Sequence, residues 1–416
     1  MIPSLPSGRI VLMFLLFALL FGTGQFHRVS ISVLAPELTA ELFLGTPALG
    51  GISAIYFLCG ALMQIPIGMC LDRFGTRRTV PVLLAIASSG TYLFATADTI
   101  HGLMAGRALM GMGFASSMIA AFIVFSRWVP PEKFATTSSR IIALGSVGGL
   151  LATDPLAFAV NWYGWRLPIM AVCLMTIAML ALIVITVRDA PPGHRPLEGK
   201  PTSLADNLAG LWSVMKNRQM RYILIMGFAT FGPGMVLLGL WGGPFLADVH
   251  GLDAIDRGHL LLGMALMGPL GLIAIGPLDR YFNSRKKVVI ISAIGMALGF
   301  AFLAIAGHLS LWLVGPVLLW TMFAQAYYVT LHGHCRALFP ATMAGRAATL
   351  VNLVAVAGIA VMQMASGLLM EAFPNPIDIS DIMGCRLTFG ATALIITICT
   401  ACYARADDVA VRPTLE

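Results

Sequence analysis

Gly68-Met69-Cys70-Leu71-Asp72-Arg73-Phe74-Gly75-Thr76-Arg77-Arg78 separates two long apolar runs. Hydrophobicity falls abruptly into charge there and then resumes. About 20 apolar residues suffice to cross a bilayer as a helix. The flanking runs therefore predict membrane spans, and the stretch predicts the loop that joins them. Gly75 suits a turn that needs positive φ. Arg73, Arg77 and Arg78 predict a cytoplasmic loop, because basic loops are retained on that side.

The stretch recurs. Gly276-Pro277-Leu278-Asp279-Arg280-Tyr281-Phe282-Asn283-Ser284-Arg285-Lys286-Lys287 repeats its order of Gly, acid, Arg, aromatic, turn residue and basics. Asp72 and Asp279 lie 207 residues apart in a chain of 416, close to half its length. A motif repeated at half-length points to duplicated halves.

Composition agrees with a membrane protein. The chain is 58% hydrophobic and 11% charged, against about a quarter charged in ordinary globular chains. Its mean hydropathy is +0.87. The net charge of +7 could indicate a nucleic-acid binder, but the basic residues sit in short loops between apolar runs, so membrane topology accounts for them. Seven scattered cysteines without Cys-x-x-Cys spacing predict free thiols and neither a disulfide framework nor a metal site. The first apolar run exceeds a signal peptide in length, contains His27-Arg28 and lacks a small-residue cleavage site, so it reads as a retained helix.

Twelve helices are expected, near residues 10–34, 48–69, 79–97, 103–126, 136–160, 167–187, 222–246, 260–278, 288–306, 311–332, 344–373 and 383–403. They divide into a bundle at 1–187, a linker at 188–219 and a bundle at 220–416. Within the linker, Pro191-Pro192-Gly193 and Arg195-Pro196 break regular structure, and Leu204 to Met215 reads as a short amphipathic helix on the inner face. Gly232-Pro233-Gly234 and Gly242-Gly243-Pro244 predict kinks in the seventh helix. Such breaks survive in a membrane only where protein or a cavity satisfies the freed backbone groups. With twelve spans, 21 of the 26 Lys and Arg fall on the side of the termini. That asymmetry predicts cytoplasmic termini.

The loop around Gly75 resembles the signature of the major facilitator superfamily, Gly-x-x-x-Asp-Arg-x-Gly-x-Arg-Arg. Gly68, Asp72, Arg73, Gly75, Arg77 and Arg78 match it. The second copy keeps Asp279 and Arg280 but carries Asn283 in place of the last glycine. The resemblance implies an all-α fold of twelve transmembrane helices in two pseudo-symmetric halves, with loops that control rocking and touch no substrate. Phe26-His27-Arg28-Val29-Ser30-Ile31-Ser32-Val33-Leu34-Ala35-Pro36 is similar to the first-helix pattern of the anion:cation symporter branch, whose Arg is associated with an organic anion. Here His27 stands where many members carry Asp. Gly106-Arg107-Ala108-Leu109-Met110-Gly111-Met112-Gly113 resembles the fourth-helix motif Arg-x-x-x-Gly-x-Gly, whose Arg is linked to proton transfer or to ordering the cavity.

Several residues could carry the chemistry. Arg28 lies inside a span, where a cation is costly unless it faces a partner or a cavity. Its guanidinium suits bidentate recognition of a carboxylate; the other reading is a structural pair, or snorkelling to the outer interface about six residues away. His27 either titrates, as an imidazole can near neutrality, or is a hydrogen-bonded bystander. Arg107 either serves proton coupling or pairs with Asp98 or Glu37. Asp154, before Pro155, is a proton-coupling candidate or a helix-end acid in a wet vestibule. Gln325, Tyr327, Tyr328, Asn352 and Gln363 would hydrogen-bond a ligand or bridge helices. His332-Gly333-His334-Cys335 is too sparse for a metal site. The glycines of 145–149 predict close helix packing, and the methionines read as core.

No Walker loop, Gly-x-Ser-x-Gly or His-Glu-x-x-His occurs, so neither ATP-driven transport nor an enzyme is expected, and no cofactor is implied. The expectation is a monomeric secondary transporter of the plasma (bacterial inner) membrane. It would move a small organic anion by alternating access, in symport with protons. Arg28, Gln325, Tyr327, Tyr328 and Asn352 would bind substrate. A proton-coupled exporter of drugs or siderophores is the rival, helped by the apolar character of the second half. A membrane sensor or scaffold is a third class. Nitrate transport fits less well, because helices 2 and 8 lack arginines.

Overall fold

The computed structural model describes residues 7–191, 204–339, 341–372 and 380–409. Pro192, Gly193, Arg195 and Pro196, expected to break the linker, lie outside them, as does Phe373. Among the described residues there are no strands, and twelve helices are long and apolar enough to cross a membrane. In order these are helix 1 (Gly8–Leu42), helix 2 (Thr46–Phe74), helix 3 (Thr76–Ala95), helix 4 (Ile100–Trp128), helix 5 (Glu132–Tyr163) and helix 6 (Arg166–Thr186). The second half contributes helix 7 (Arg218–Val249), helix 8 (Ala254–Tyr281), helix 9 (Arg285–Ala306), helix 10 (Leu311–Leu338), helix 11 (Arg346–Glu371) and helix 12 (Met383–Tyr403). The short linker helix covers Leu204–Met215, as its amphipathic pattern predicts.

The chain forms two compact units, Met1–Leu34 with Ile55–Leu204, and Ala35–Ala54 with Ala205–Glu416. The expected bundles 1–187 and 220–416 assign residues 35–54 differently. Those residues form the end of helix 1 and the start of helix 2, and in the structure they pack within the second unit. A Cβ on Gly50 would lie 3.1 Å from the Gly367 Cα of helix 11, and Glu37 pairs with the buried Arg257 at 3.1 Å. Helix 1 therefore continues through Pro36 to Leu42 instead of ending at Leu34. Tertiary contacts outweigh the hydrogen bond that proline removes. Arg257 belongs to helix 8, which starts at Ala254 and not near residue 260, so the expectation that helix 8 lacks an arginine does not hold.

Helix 7 stays continuous but changes its winding. Its α-helical part, Arg218–Val236, passes into π-helical turns at Leu237–Trp241 and Phe245–Val249. Pro244 supplies no N–H and crowds the carbonyl four residues back, and a wider π turn accommodates both defects. Side chains of helix 11 bind this segment. The Trp241 indole donates to Ser366 Oγ at 2.7 Å, and Gln363 Nε2 donates to the Met235 carbonyl at 2.9 Å.

Helix 4 is a packing axis of the first unit. A Cβ on Gly111 would collide with the Tyr56 carbonyl of helix 2, and one on Gly113 with the Leu83 carbonyl of helix 3. The Gly-rich face of helix 5 has the close neighbour expected of it, because Gly148 lies directly on Gly22 of helix 1.

The repeat is visible in three dimensions. Helix 4 is interrupted after Phe114 and helix 10 after Ala324, each about halfway along. The loop between helices 2 and 3 shrinks to one non-helical residue, Gly75, with φ 77°. The second copy turns at Asn283, with φ 47°. Each turn is met by an acid located just beyond the last helix of its half. In the first unit, Asp189 accepts from the N–H groups of Thr76 and Arg77, at 2.5 and 3.0 Å. In the second unit, Asp408 accepts from Ser284 Oγ at 2.5 Å and from the Lys286 N–H at 3.4 Å. A carboxylate at a helix N-terminus satisfies orphan donors and complements the dipole. Any side chain at position 75 would strike the Asp189 carboxylate.

Asp189→Ala removes a cap worth about 0.5–2 kcal/mol and lowers the melting temperature in detergent, whereas Arg188→Ala, next to it, leaves it nearly unchanged. Gly111→Val eliminates monodisperse protein in size-exclusion chromatography. His250, between helices 7 and 8, packs edge-on against Phe245 at 5.0 Å. Burial lowers its pKa from the ordinary 6.5, partly offset by a hydrogen bond to the Gly307 backbone. The folded state thus binds fewer protons than the unfolded state, and this contribution is complete above pH 6.5 and lost as the pH falls toward the lower folded value. A melting series from pH 7 to pH 5 shows a steeper decline for the native protein than for His250→Phe.

Candidate functional site

Arg28 sits near the middle of helix 1, 14 residues before its end at Leu42. At about 1.5 Å per residue that is about 21 Å, farther than any arginine side chain extends. The helix thus continues past its expected end at Leu34.

What surrounds Arg28 is polar but uncharged. Its guanidinium reaches the hydroxyl of Tyr56 on helix 2. That hydroxyl donates to the Gly24 carbonyl at 3.1 Å, which leaves its lone pairs for Arg28. Arg28 Nε is buried with no hydrogen bond, and among the described residues no carboxylate pairs with this guanidinium. Helix 1 and helix 2 thus hold a half-buried cation with bonding capacity to spare.

Arg107 is the second cation and is 1% exposed. Its guanidinium lies over the Tyr56 ring at 4.5 Å and donates to the His27 carbonyl at 2.6 Å. The pairings considered for it are taken by other residues. Asp98 binds Arg166 at 2.8 Å, and Glu37 binds Arg257. Tyr56 therefore serves two arginines, one through its hydroxyl and one through its ring, and a cation over an aromatic face gains about 0.5–2 kcal/mol. Sequence reading missed this residue. Its only signal is one tyrosine in the apolar run of helix 2, and nothing there indicates that its ring meets helices 1 and 4.

His27 lies between Phe26 and Phe114, with ring centroids at 5.5 and 5.2 Å, and its Nε2 makes no hydrogen bond among the described residues. It is therefore beside Arg107 through its backbone rather than its ring. Asp154 opens the second segment of helix 5, Asp154–Tyr163, after an interruption at Ala152–Thr153. It is half-buried, at a position that favours an anion.

The second unit divides its polar candidates into two groups. Tyr327 is fully buried and donates to the Ala229 carbonyl at 2.8 Å, and Gln325 Nε2 donates to the Thr230 carbonyl at 3.2 Å. These two clamp helix 10 to helix 7 across the interruption in helix 10, so the bridging role holds for them. Gln363 bridges in the same way. Tyr328 and Asn352 are half-buried. The two histidines of helix 10 do not converge. Both nitrogens of His334 are engaged, with Nε2 donating to the Asp407 carbonyl at 2.9 Å and Nδ1 accepting from Tyr403 at 2.6 Å. The loop residues Asp72, Arg73, Arg77, Arg78 and Arg280 are exposed, and Asp279 pairs with Arg285 at 3.5 Å.

Two six-helix halves, interrupted spans at equivalent positions and a buried cation define a membrane transporter. Residues 10–363 match the Major Facilitator Superfamily, and the chain belongs to that family. It is 25% identical to the uncharacterized transporter YybO of Bacillus subtilis (strain 168), over 73% of this chain and 71% of that one. The nitrite extrusion protein of the same organism is 23% identical over 70% of each chain. Its hexuronate transporter is 21% identical, over 69% of this chain and 71% of that one. A bacterial homolog of the human lysosomal transporter Spinster, solved inward-facing and unoccupied, has the same fold. Its TM-score is 0.81 at 19% identity, covering 97% of this chain and 98% of that one.

Tyr56→Phe keeps the ring under Arg107 and removes the hydroxyl beside Arg28. One net hydrogen bond is worth about 0.5–1.5 kcal/mol, so the melting temperature of the ligand-free protein in detergent falls only slightly. Tyr56→Leu also removes the aromatic face and lowers the melting temperature of the ligand-free protein.

Proposed function

We propose that this transporter moves a small organic anion, a carboxylate, across the plasma (bacterial inner) membrane, with Arg28 as the charge anchor. The observation that carries the proposal is the guanidinium in mid-span, beside Tyr56 and paired with no carboxylate among the described residues. Burying a cation without a counter-ion costs several kcal/mol. An anionic cargo supplies that counter-ion each time it binds, and departs when the site rehydrates. The hexuronate and nitrite proteins, both named for anions, support this reading.

Transport proceeds by alternating access. The driving force is a proton gradient, with His27, Asp154 and Arg107 as the groups that couple proton movement to the cargo. The loops around Gly75 and Asn283 govern the exchange between states, both termini are cytoplasmic, and the working form is a monomer. His27 takes part through the imidazole, whose Nε2 makes no hydrogen bond among the described residues.

Arg28→Ala removes a charge-assisted bond worth about 1.5–3 kcal/mol, which raises KM for a carboxylate in proteoliposome uptake by about 10- to 100-fold. Arg28→Lys recovers only part of the loss, because an ammonium cannot form the two-pronged contact. Unchanged uptake by Arg28→Ala rules out this assignment. Uptake unaffected by carboxylates but inhibited by lipophilic cations identifies a drug carrier instead.

A further inference from the structure

The linker helix of the second unit presents a face that no step of transport uses. It ends at Met215, and helix 7 begins its span at Arg218. Three steps of about 3.8 Å between successive Cα atoms join the two. The end of the linker helix therefore lies within about 11 Å of the place where helix 7 enters the bilayer. Its inward side is packed. Val214 is fully buried, as is Met220 just inside helix 7, and a Cβ on Gly210 would lie 3.0 Å from the guanidinium carbon of Arg346 on helix 11. Its outward side carries Trp212, which is 58% exposed, and one turn later Lys216, also exposed.

The charges beside this indole have no carboxylate partners. Arg218 and Arg221 are exposed on the first turn of helix 7. Arg221 donates to the Lys216 carbonyl at 3.5 Å, which brings its guanidinium to the end of the linker helix, and Arg218 donates to the Tyr222 hydroxyl at 3.1 Å. Asp407 lies within electrostatic reach of Arg218 but exchanges two hydrogen bonds with Gln219 instead, at 2.5 and 2.9 Å. Among the described residues no carboxylate pairs with Lys216, Arg218 or Arg221. Three cations and an indole thus share one rim, at the level where a span begins.

We propose that this rim is a docking surface for anionic phospholipid. Trp212 inserts its ring at the level of the glycerol esters, and Lys216, Arg218 and Arg221 bind the headgroup phosphates. Depth and charge together select the occupant. Tryptophan and basic side chains on one exposed face are the composition of a helix that lies in a membrane interface. A zwitterionic lipid offers the indole the same apolar layer, but its own ammonium offsets its phosphate. An acidic protein in solution matches the cations and gives the indole no such layer. The surface depends neither on the cargo nor on which side of the membrane holds the termini, because it concerns the leaflet that the linker helix touches.

The test uses the full chain in bilayer nanodiscs of phosphatidylglycerol and phosphatidylcholine. Fluorescence of Trp212 is read as the difference between the native protein and Trp212→Phe. Bromine, a contact quencher, is placed on one lipid and then on the other, at constant composition. Phosphatidylglycerol is enriched at the indole about fivefold, the factor that one cation engaged at an anionic surface supplies. Salt at about 1 M, where the screening length is about 3 Å, reduces the enrichment. Lys216→Gln, whose side chain makes no hydrogen bond among the described residues, lowers it in part. Lys216→Gln/Arg218→Gln/Arg221→Gln abolishes it, while the summed quenching by the two lipids stays constant. Equal quenching by the two lipids in the native protein, or an enrichment undiminished in both variants, overturns the proposal. Absence of quenching by either lipid also overturns it, because the indole then faces solution or a protein partner.

Discussion

Every backbone N–H and carbonyl inside an apolar span must find a partner in the protein, and the rest of this structure depends on that constraint. A continuous α-helix satisfies it for most of the chain. The informative places are those where the helix departs from regularity. Helix 7 widens into π turns, and this segment is held by Trp241 on Ser366 and by Gln363 on the Met235 carbonyl. Helix 10 is interrupted, and Gln325 and Tyr327 take up carbonyls of helix 7 beside the interruption. Buried Gln325, Tyr327, Gln363 and Trp241 are thus the cost of irregular spans.

Buried charge obeys the same logic at higher stakes. Arg257 is neutralised by Glu37, and the more exposed Arg166 by Asp98. Arg107 uses an aromatic face and a helix carbonyl. Arg28 shares a hydroxyl and retains unused donors. Tyr56 joins the two unusual cases, because its ring and its hydroxyl face different arginines.

The duplicated loops show how one solution was built twice with different residues. The first half turns at a glycine and caps the next helix with Asp189, and the second turns at an asparagine and recruits Asp408 through Ser284. Asparagine tolerates the left-handed region better than other side chains, so loss of the second glycine does not cost the turn. In both halves the acid comes from just beyond the sixth helix, which ties the start of each third helix to the exit of its bundle.

The sequence by itself determined the class of fold, the number of spans and the half-length repeat. These depend on apolar run length, charge placement and residue type, all of which are local. Span ends were less legible. Helix 1 outruns Pro36 because residues 35–54 pack with helices from distant parts of the chain. Only the tertiary structure decided which polar residues are clamps and which remain open. Gln325, Tyr327 and Tyr328 are near neighbours in one apolar run, yet two bond helix 7 and the third faces Phe231 and His332. Tyr56 acquires its contacts in the same way. A hydrogen bond requires a partner within about 3 Å, and for these residues that partner, or its absence, is set by packing between helices distant in the chain.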